Sequence, residues 1–111
     1  SQSDAANLTA EQVDWAGGVL RYQRAKLKAD APPATLALGP QLAALLRELP
    51  AWGPLFPTLA RQPARDRAAR FRERCAGLGL EGVSLHSYRY AWAERAFRAG
   101  MPERFAMANL G

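Results

Sequence analysis

Residues 13–24 read VDWAGGVLRYQR, two short apolar runs separated by a pair of glycines. Val13 and Trp15 alternate with polar neighbours, which indicates a short strand. Gly17-Gly18 is a turn signal, and residues 19–24 show the mixed alternation of a second strand. This stretch therefore predicts an antiparallel hairpin.

A third strand is predicted at residues 34–38, where Ala-Thr-Leu-Ala-Leu is followed by the turn signal Gly39-Pro40. Residues 26–33 are rich in Lys, Ala and Pro and are predicted to form a loop. Lys26 then lies near the tip of a second hairpin, and the three strands form a small antiparallel sheet.

The rest of the chain is predicted to be helical. One helix begins at Pro40, which the first turn tolerates, and Pro50 stops it. Leucines at i, i+3, i+4 and i+7 give it one apolar face: Leu42, Leu45, Leu46 and Leu49. Residues 52–59 are predicted to be a loop packed around Leu55 and Phe56.

Three further helices are predicted at residues 64–76, from residues 84–86 to Gly100, and from Pro102 onward. In the first of them, apolar residues recur at helical spacing and Cys75 is predicted to be buried. The fold class is therefore α+β, mostly α-helical with a small three-stranded antiparallel sheet.

The tryptophans Trp15, Trp52 and Trp92 are predicted to be core residues.

Residues 1–8 read as the tail of a helix whose beginning is missing, and Gly111 stands where a helix would end. We interpret residues 1–111 as one partial domain, truncated at both ends.

The chain is basic. Its 111 residues include 15 Lys and Arg against 10 Asp and Glu, which gives a formal net charge of +5. Hydrophobic residues make up 49%, so an ordered domain is expected rather than a disordered tail. Positive charge favours a polyanionic partner, because neutralising phosphates releases condensed counterions.

One cysteine and one histidine exclude an intrachain disulfide and a Cys/His metal cluster. We expect no metal and no other cofactor. The lone cysteine favours a reducing, cytoplasmic setting. No apolar run approaches the roughly 20 residues that span a membrane, so no membrane partner is expected.

Residues 85–90 read LHSYRY and contain the best candidates for chemistry. His86 and Arg89 are three apart, so they share a face of a helix. Arg89 is also in line with the apolar stripe of that helix: Leu85, Trp92, Ala96 and Ala99. An inward guanidinium needs an anionic partner, either an internal carboxylate or an external phosphate.

Simpler interpretations remain open for both residues. His86 can be a helix cap or a surface residue instead of a proton shuttle. Arg89 can form an internal salt bridge instead of binding a ligand.

His86-Ser87-Tyr88-Arg89 at the head of a helix, followed by Leu110-Gly111, resembles the catalytic domain of the tyrosine recombinase (phage integrase) family. Three upstream segments agree with the family in order: residues 3–8 followed by Val13-Asp14-Trp15, then Arg24-Ala25-Lys26, then Leu55-Phe56-Pro57. The resemblance covers essentially the whole chain.

The resemblance implies site-specific recombination or integration of double-stranded DNA. In this family a tyrosine attacks a phosphodiester, forms a 3′-phosphotyrosyl link and frees a 5′-hydroxyl, while side-chain cations stabilise the transition state. Arg89 would clamp the non-bridging oxygens, His86 would assist with protons, and Lys26 would be the general acid, with Lys28 as its rival. Asp4 would support the site. Either lysine can instead be a solvated loop charge, and Asp4 a cap or surface carboxylate.

Three site residues of the family are missing from this sequence. The first arginine falls at Ser1, while a second His or Trp and the nucleophilic tyrosine are expected beyond Gly111; Tyr22, Tyr88 and Tyr90 are in the wrong places. We expect the chain alone to be inactive and the activity to belong to a longer parent. Such a parent would work as a homotetramer on DNA, associated with the nucleoid of a bacterial or phage-infected cytoplasm.

Contacts to the DNA backbone are predicted for basic residues of the hairpin and of helix 64–76: Arg24, Lys28, Arg65 and Arg70. The arginines of that helix can also simply be solvated. Two rival functions remain: a non-catalytic DNA-binding helical module, and a protein-interaction domain without nucleic acid.

Overall fold

Three strands form one antiparallel sheet in the computed structural model, which describes residues 1–110. They are β1 (Val13–Asp14), β2 (Val19–Tyr22) and β3 (Ala34–Ala37), paired in the order β1-β2-β3. Leu20 lies opposite Val13 on one side and Leu36 on the other, so these apolar side chains share one face of the sheet. The predicted three-stranded sheet is confirmed.

β2 ends at Tyr22 instead of the predicted Arg24, because its backbone pairing with β3 ends at Ala34. The Gln23 side chain turns into the following loop. The Gln23 amide nitrogen donates to the backbone carbonyls of Lys28 and Ala31, at 3.3 and 3.1 Å. Residues 23–33 connect β2 to β3, and Lys26 lies in this connection.

The sheet belongs to the first of two compact units, Ser1–Pro63. Its helices are α1 (Gln2–Ala6), a 3-10 turn at Ala10–Gln12, α2 (Pro40–Arg47) and α3 (Pro57–Arg61). Four apolar residues of this unit are buried: Ala6, Leu20, Leu46 and Leu55. The sheet, α1, α2 and the segment before α3 each contribute one of them.

Two distant segments of this unit are joined through their backbones. Leu55 N–H donates to the Leu8 carbonyl and Ala10 N–H donates to the Gly53 carbonyl, both at 2.9 Å. The Glu11 carboxylate accepts from Gly53 N–H at 2.8 Å. These bonds hold Leu55 in the core without a regular strand.

Two predictions for residues 52–59 were wrong. Residues 52–59 are not all loop, because Pro57 occupies the first turn of α3, where its missing N–H costs nothing. Trp52 is not a core residue: Leu55 is turned inward and Trp52 is 81% exposed.

Two other predicted apolar residues of this unit are also exposed. Trp15 is 43% exposed, and the Arg47 guanidinium lies 4.4 Å from its ring centroid, which gives the ring a cation–π contact in place of burial. In α2, Leu46 is buried whereas Leu45 is 61% exposed. Only part of the predicted leucine face is therefore covered.

The second unit comprises the residues from Ala64 onward, and its described part is helical: α4 (Ala64–Gly77), α5 (Ser87–Arg98) and α6 (Glu103–Leu110). α5 packs against α6. Cys75 is buried, as predicted, and so is Ala96, while Trp92 is half-buried. The buried residues of this unit are thus small.

α4 and α5 end in the same way. Leu80 N–H donates to the Cys75 carbonyl, and Met101 N–H donates to the Ala96 carbonyl, at 2.8 and 3.0 Å. Gly79 and Gly100, the residues before these donors, have φ of 74° and 76°. A glycine takes this left-handed conformation without steric cost, so each helix stops where its glycine allows the chain to reverse.

Candidate functional site

Asp4 is the most enclosed of the predicted site residues, with 8% of its side chain exposed. It lies in the first turn of α1 and accepts hydrogen bonds from the N-terminal amine and the hydroxyl of Ser1, at 3.1 and 2.9 Å. Ser1 Oγ in turn accepts from Asp4 N–H at 3.3 Å. The two residues form a reciprocal cap of α1.

The same carboxylate reaches a distant part of the chain. Asp4 Oδ1 accepts from Ala25 N–H at 2.9 Å, across 21 residues of sequence. Ala25 directly precedes Lys26. The carboxylate of α1 therefore holds the segment that contains the predicted general acid.

Several effects act on the pKa of Asp4. Burial raises it, but the hydrogen bonds from Ala25 N–H and from Ser1, with the positive charge of the N-terminal amine, together lower it below its ordinary value. Asp4 is therefore ionised at neutral pH, the form that accepts these bonds best.

Lys26 and Lys28 lie in two successive turns of the β2–β3 connection. Leu27 N–H donates to the Arg24 carbonyl at 3.1 Å, which places Lys26 inside the first turn. Ala31 N–H donates to the Lys28 carbonyl at 3.0 Å, which closes the second. Both lysines are exposed and Arg24 is half-buried.

His86 stands at the start of α5 and is exposed. It occupies the N-cap position of α5, in agreement with the simpler interpretation, although its side chain makes no capping hydrogen bond to the helix. The imidazole instead meets the Tyr90 ring edge to face, with 5.1 Å between the centroids. This contact limits the orientations of the imidazole while leaving it accessible.

Arg89 does not point inward, contrary to the prediction from its place in the apolar stripe. It is exposed, and its Nη1 donates to the Leu110 carbonyl at 2.7 Å. That carbonyl lies in the last turn of α6. The bond directs the guanidinium toward α6, and the side chain stays accessible to solvent.

His86 and Arg89 lie at the same end of α5. Arg89 N–H donates to the His86 carbonyl at 3.0 Å, so the two residues lie within one turn at the head of α5. Between them, Tyr88 contacts Phe71 of α4 with 5.8 Å between ring centroids. That contact ties the head of α5 to α4.

The arginines of α4 divide into two rows on either side of its apolar stripe. Arg67, Arg70 and Arg74 follow i, i+3 and i+7 spacing on one flank, and Arg65 and Arg72 lie seven apart on the other. Arg65 Nε is 3.7 Å from the adjacent Asp66 carboxylate. Arg70, Glu73 and Arg74 line an open hollow on the surface.

Each unit therefore contains one group of predicted site residues. The first unit joins Asp4 to the Lys26 segment, and the second places His86 beside Arg89. Sequence reasoning missed Gln23, which holds the lysine turns, and the Leu110 carbonyl, which orients Arg89. Neither has a local signal: an exposed glutamine and a helix-end carbonyl acquire these contacts only through folding.

Within residues 1–110, no group of three or more His, Cys, Asp or Glu side chains could hold a metal ion. None of the helices in that range has the length and apolar character needed to cross a membrane.

No family model, curated protein or solved structure matches the chain.

Proposed function

We propose that this chain is part of the catalytic domain of a tyrosine recombinase, which cuts and rejoins double-stranded DNA through a 3′-phosphotyrosyl intermediate. The observation that carries the proposal is the pair His86 and Arg89: both are exposed within one turn at the head of α5. The resemblance of the surrounding segments to this family gives the pair its proposed chemistry.

Arg89 is suited to bind a phosphate. Its guanidinium is a planar fork of donors, and the bond to the Leu110 carbonyl gives the fork a defined direction. In the proposed reaction Arg89 binds a non-bridging oxygen of the scissile phosphate. Negative charge gathers on these oxygens in the transition state, so a fixed cation stabilises the transition state more than the substrate.

The proposed cleavage step is a displacement at phosphorus. The tyrosine oxygen forms a bond to phosphorus while the bond between phosphorus and the 5′-oxygen breaks. His86 assists in removing the proton of the tyrosine, and Lys26 gives a proton to the leaving 5′-oxygen. The reverse step, with the 5′-hydroxyl of a partner strand, restores the diester. The proposal takes the tyrosine, a further arginine and a further His or Trp from outside these 111 residues.

The charge distribution supports DNA as the partner. Residues 64–111 contain nine arginines against five carboxylates, a net charge of +4, whereas six basic and five acidic residues give +1 in residues 1–63. The excess lies in the unit that contains His86, Arg89 and the arginine rows of α4. Arg65 and Arg70, with Arg24 and Lys28 of the hairpin, are the proposed contacts to backbone phosphates.

The test compares Arg89→Ala with Arg70→Ala in an intact recombinase that contains this chain, using nicked DNA that traps the covalent complex. We expect Arg89→Ala to reduce trapping by about 10²–10³-fold, as for loss of one oxyanion-stabilising donor, while most of the affinity remains. Arg70→Ala should instead lower the slope of log affinity against log salt by about 1 and leave trapping at saturating protein unchanged.

The other outcomes distinguish the rival functions. DNA binding without any covalent complex in the unmutated protein would indicate a non-catalytic DNA-binding module, in which spread charge supplies the affinity. Absence of salt-dependent DNA binding would favour a protein-interaction domain. Full cleavage by Arg89→Ala would contradict the recombinase proposal.

A further inference from the structure

The turns that contain Lys26 and Lys28 are closed by a side chain that has no place in the proposed chemistry. Gln23 donates to the carbonyls of Lys28 and Ala31, at 3.3 and 3.1 Å, from the position directly after β2. One amide group therefore bridges from the end of the strand to both ends of the second turn. The segment from Gln23 to Lys28 becomes a short closed ring that includes Lys26.

A second anchor acts on the other side of Lys26. The Asp4 carboxylate accepts from Ala25 N–H at 2.9 Å and so ties the first turn to α1. Lys26 consequently lies between two anchors, one residue after Ala25 and two residues before Lys28. A lysine side chain is long and flexible. Its ammonium group therefore reaches a defined position only when the backbone of the residue is fixed.

We propose that Gln23 is a positioning residue for Lys26: it holds the β2–β3 connection in the conformation from which the lysine protonates the leaving 5′-oxygen. This inference rests on the proposed function, since it takes Lys26 as the general acid. It requires the amide of Gln23 as a donor, because both of its partners are carbonyl oxygens.

The decisive variant is Gln23→Glu, which keeps the size of the side chain but replaces the donor with a carboxylate that only accepts. Gln41→Glu is the matched control, because it makes the same change at an exposed glutamine in α2. Both variants are compared in the intact recombinase on ordinary DNA and on DNA with sulfur in place of the bridging 5′-oxygen. A thiolate leaves without protonation because thiols are much stronger acids than alcohols.

We expect Gln23→Glu to slow cleavage of ordinary DNA by about 10²-fold, the scale of a misplaced catalytic group. Cleavage of the sulfur-containing DNA should proceed at the unmutated rate, and Gln41→Glu should cleave both substrates normally. A defect that arises from general loss of structure would slow both substrates alike. Equal slowing of both, or no slowing of either, would overturn the inference.

A measurement on the 111-residue chain separates this inference from the proposed function. Amide hydrogen exchange at Leu27 and Ala31, the donors that close the two turns, should accelerate in Gln23→Glu and stay unchanged in Gln41→Glu. Unchanged exchange in Gln23→Glu contradicts the inference even if the recombinase is active. If exchange accelerates in Gln23→Glu but the unmutated recombinase cleaves neither ordinary nor sulfur-containing DNA, the proposed function is contradicted. The role assigned to Lys26 is then contradicted with it.

Discussion

The first unit of the chain buries three leucines and an alanine, whereas the described part of the second buries Cys75 and Ala96. The second unit has the higher net charge, +4 in residues 64–111 against +1 in residues 1–63. The first unit is therefore stabilised mainly by apolar burial and by backbone bonds between distant segments. In the second unit, small buried residues, helix-end motifs and aromatic contacts stabilise the helices. Much of its surface is formed by arginine side chains.

The comparison indicates where single substitutions should matter. Burial of a large apolar side chain contributes more free energy than burial of a small one, roughly in proportion to the area removed from water. Core substitutions should consequently lower the free energy of unfolding most in the first unit. In the second unit, substitutions that disturb the conformation of the helix ends should account for a larger share of the loss in stability.

The largest effect on stability is expected for Leu55→Ala. Leu55 is 3% exposed and is held by backbone bonds that prevent the site from collapsing, so we expect a loss of about 2–5 kcal/mol in the free energy of unfolding. Leu45→Ala makes the same change at an exposed position of the same unit and should cost less than about 0.5 kcal/mol. Urea unfolding of both variants measures the difference, and similar losses would contradict the description of this core.

An intermediate effect is expected at the end of α4. Gly79→Ala meets no atom within 4 Å of the added Cβ, so its cost comes only from the positive φ and should be about 1–2 kcal/mol. Gly77→Ala changes the last residue of α4, also without a close contact, and should stabilise the protein by up to about 1 kcal/mol. The melting temperatures of the two variants should therefore shift in opposite directions, and shifts of the same sign would contradict the role assigned to Gly79 at the helix end.

The smallest effect is expected for Asp4→Asn. The pKa of Asp4 is lowered in the folded chain from an ordinary value of 3.8, so the carboxylate contributes stability above that value. That contribution is lost as the pH falls through the folded pKa. At neutral pH the substitution should cost about 0.3–1 kcal/mol, the value of a charge in the first turn of a helix.

Urea unfolding at neutral pH and in acid checks this prediction. Glu11 and Asp14 also have lowered pKa values, chiefly through hydrogen bonds from the N–H groups of Gly53 and Gly17, so acid will weaken both proteins. The difference between the unmutated chain and Asp4→Asn should nevertheless shrink as the pH falls below 4, in line with the ordinary value of 3.8. A difference that is constant with pH would show that the charge of Asp4 does not contribute.

Local patterns in the sequence predict much of this molecule. Alternation in residues 13–24 and the Gly17-Gly18 turn predict the sheet, and the spacing of apolar residues predicts α2, α4, α5 and the burial of Cys75. The grouping of His86 with Arg89 also follows from their spacing, because i and i+3 share a helix face. These features depend on neighbours within a few residues, so the order of residue types is sufficient to predict them.

Other features depend on contacts between segments that are far apart in the sequence. The bond from Ala25 to Asp4, the outward direction of Arg89 toward the Leu110 carbonyl and the exposure of Trp52 each depend on where a second segment lies. Burial and long-range hydrogen bonding are properties of the packed chain, and a pattern along one helix cannot say which of its residues another segment covers. For that reason the sequence was sufficient to predict Lys26, His86 and Arg89 as candidate site residues, whereas the tertiary structure determined which contacts each of their segments makes.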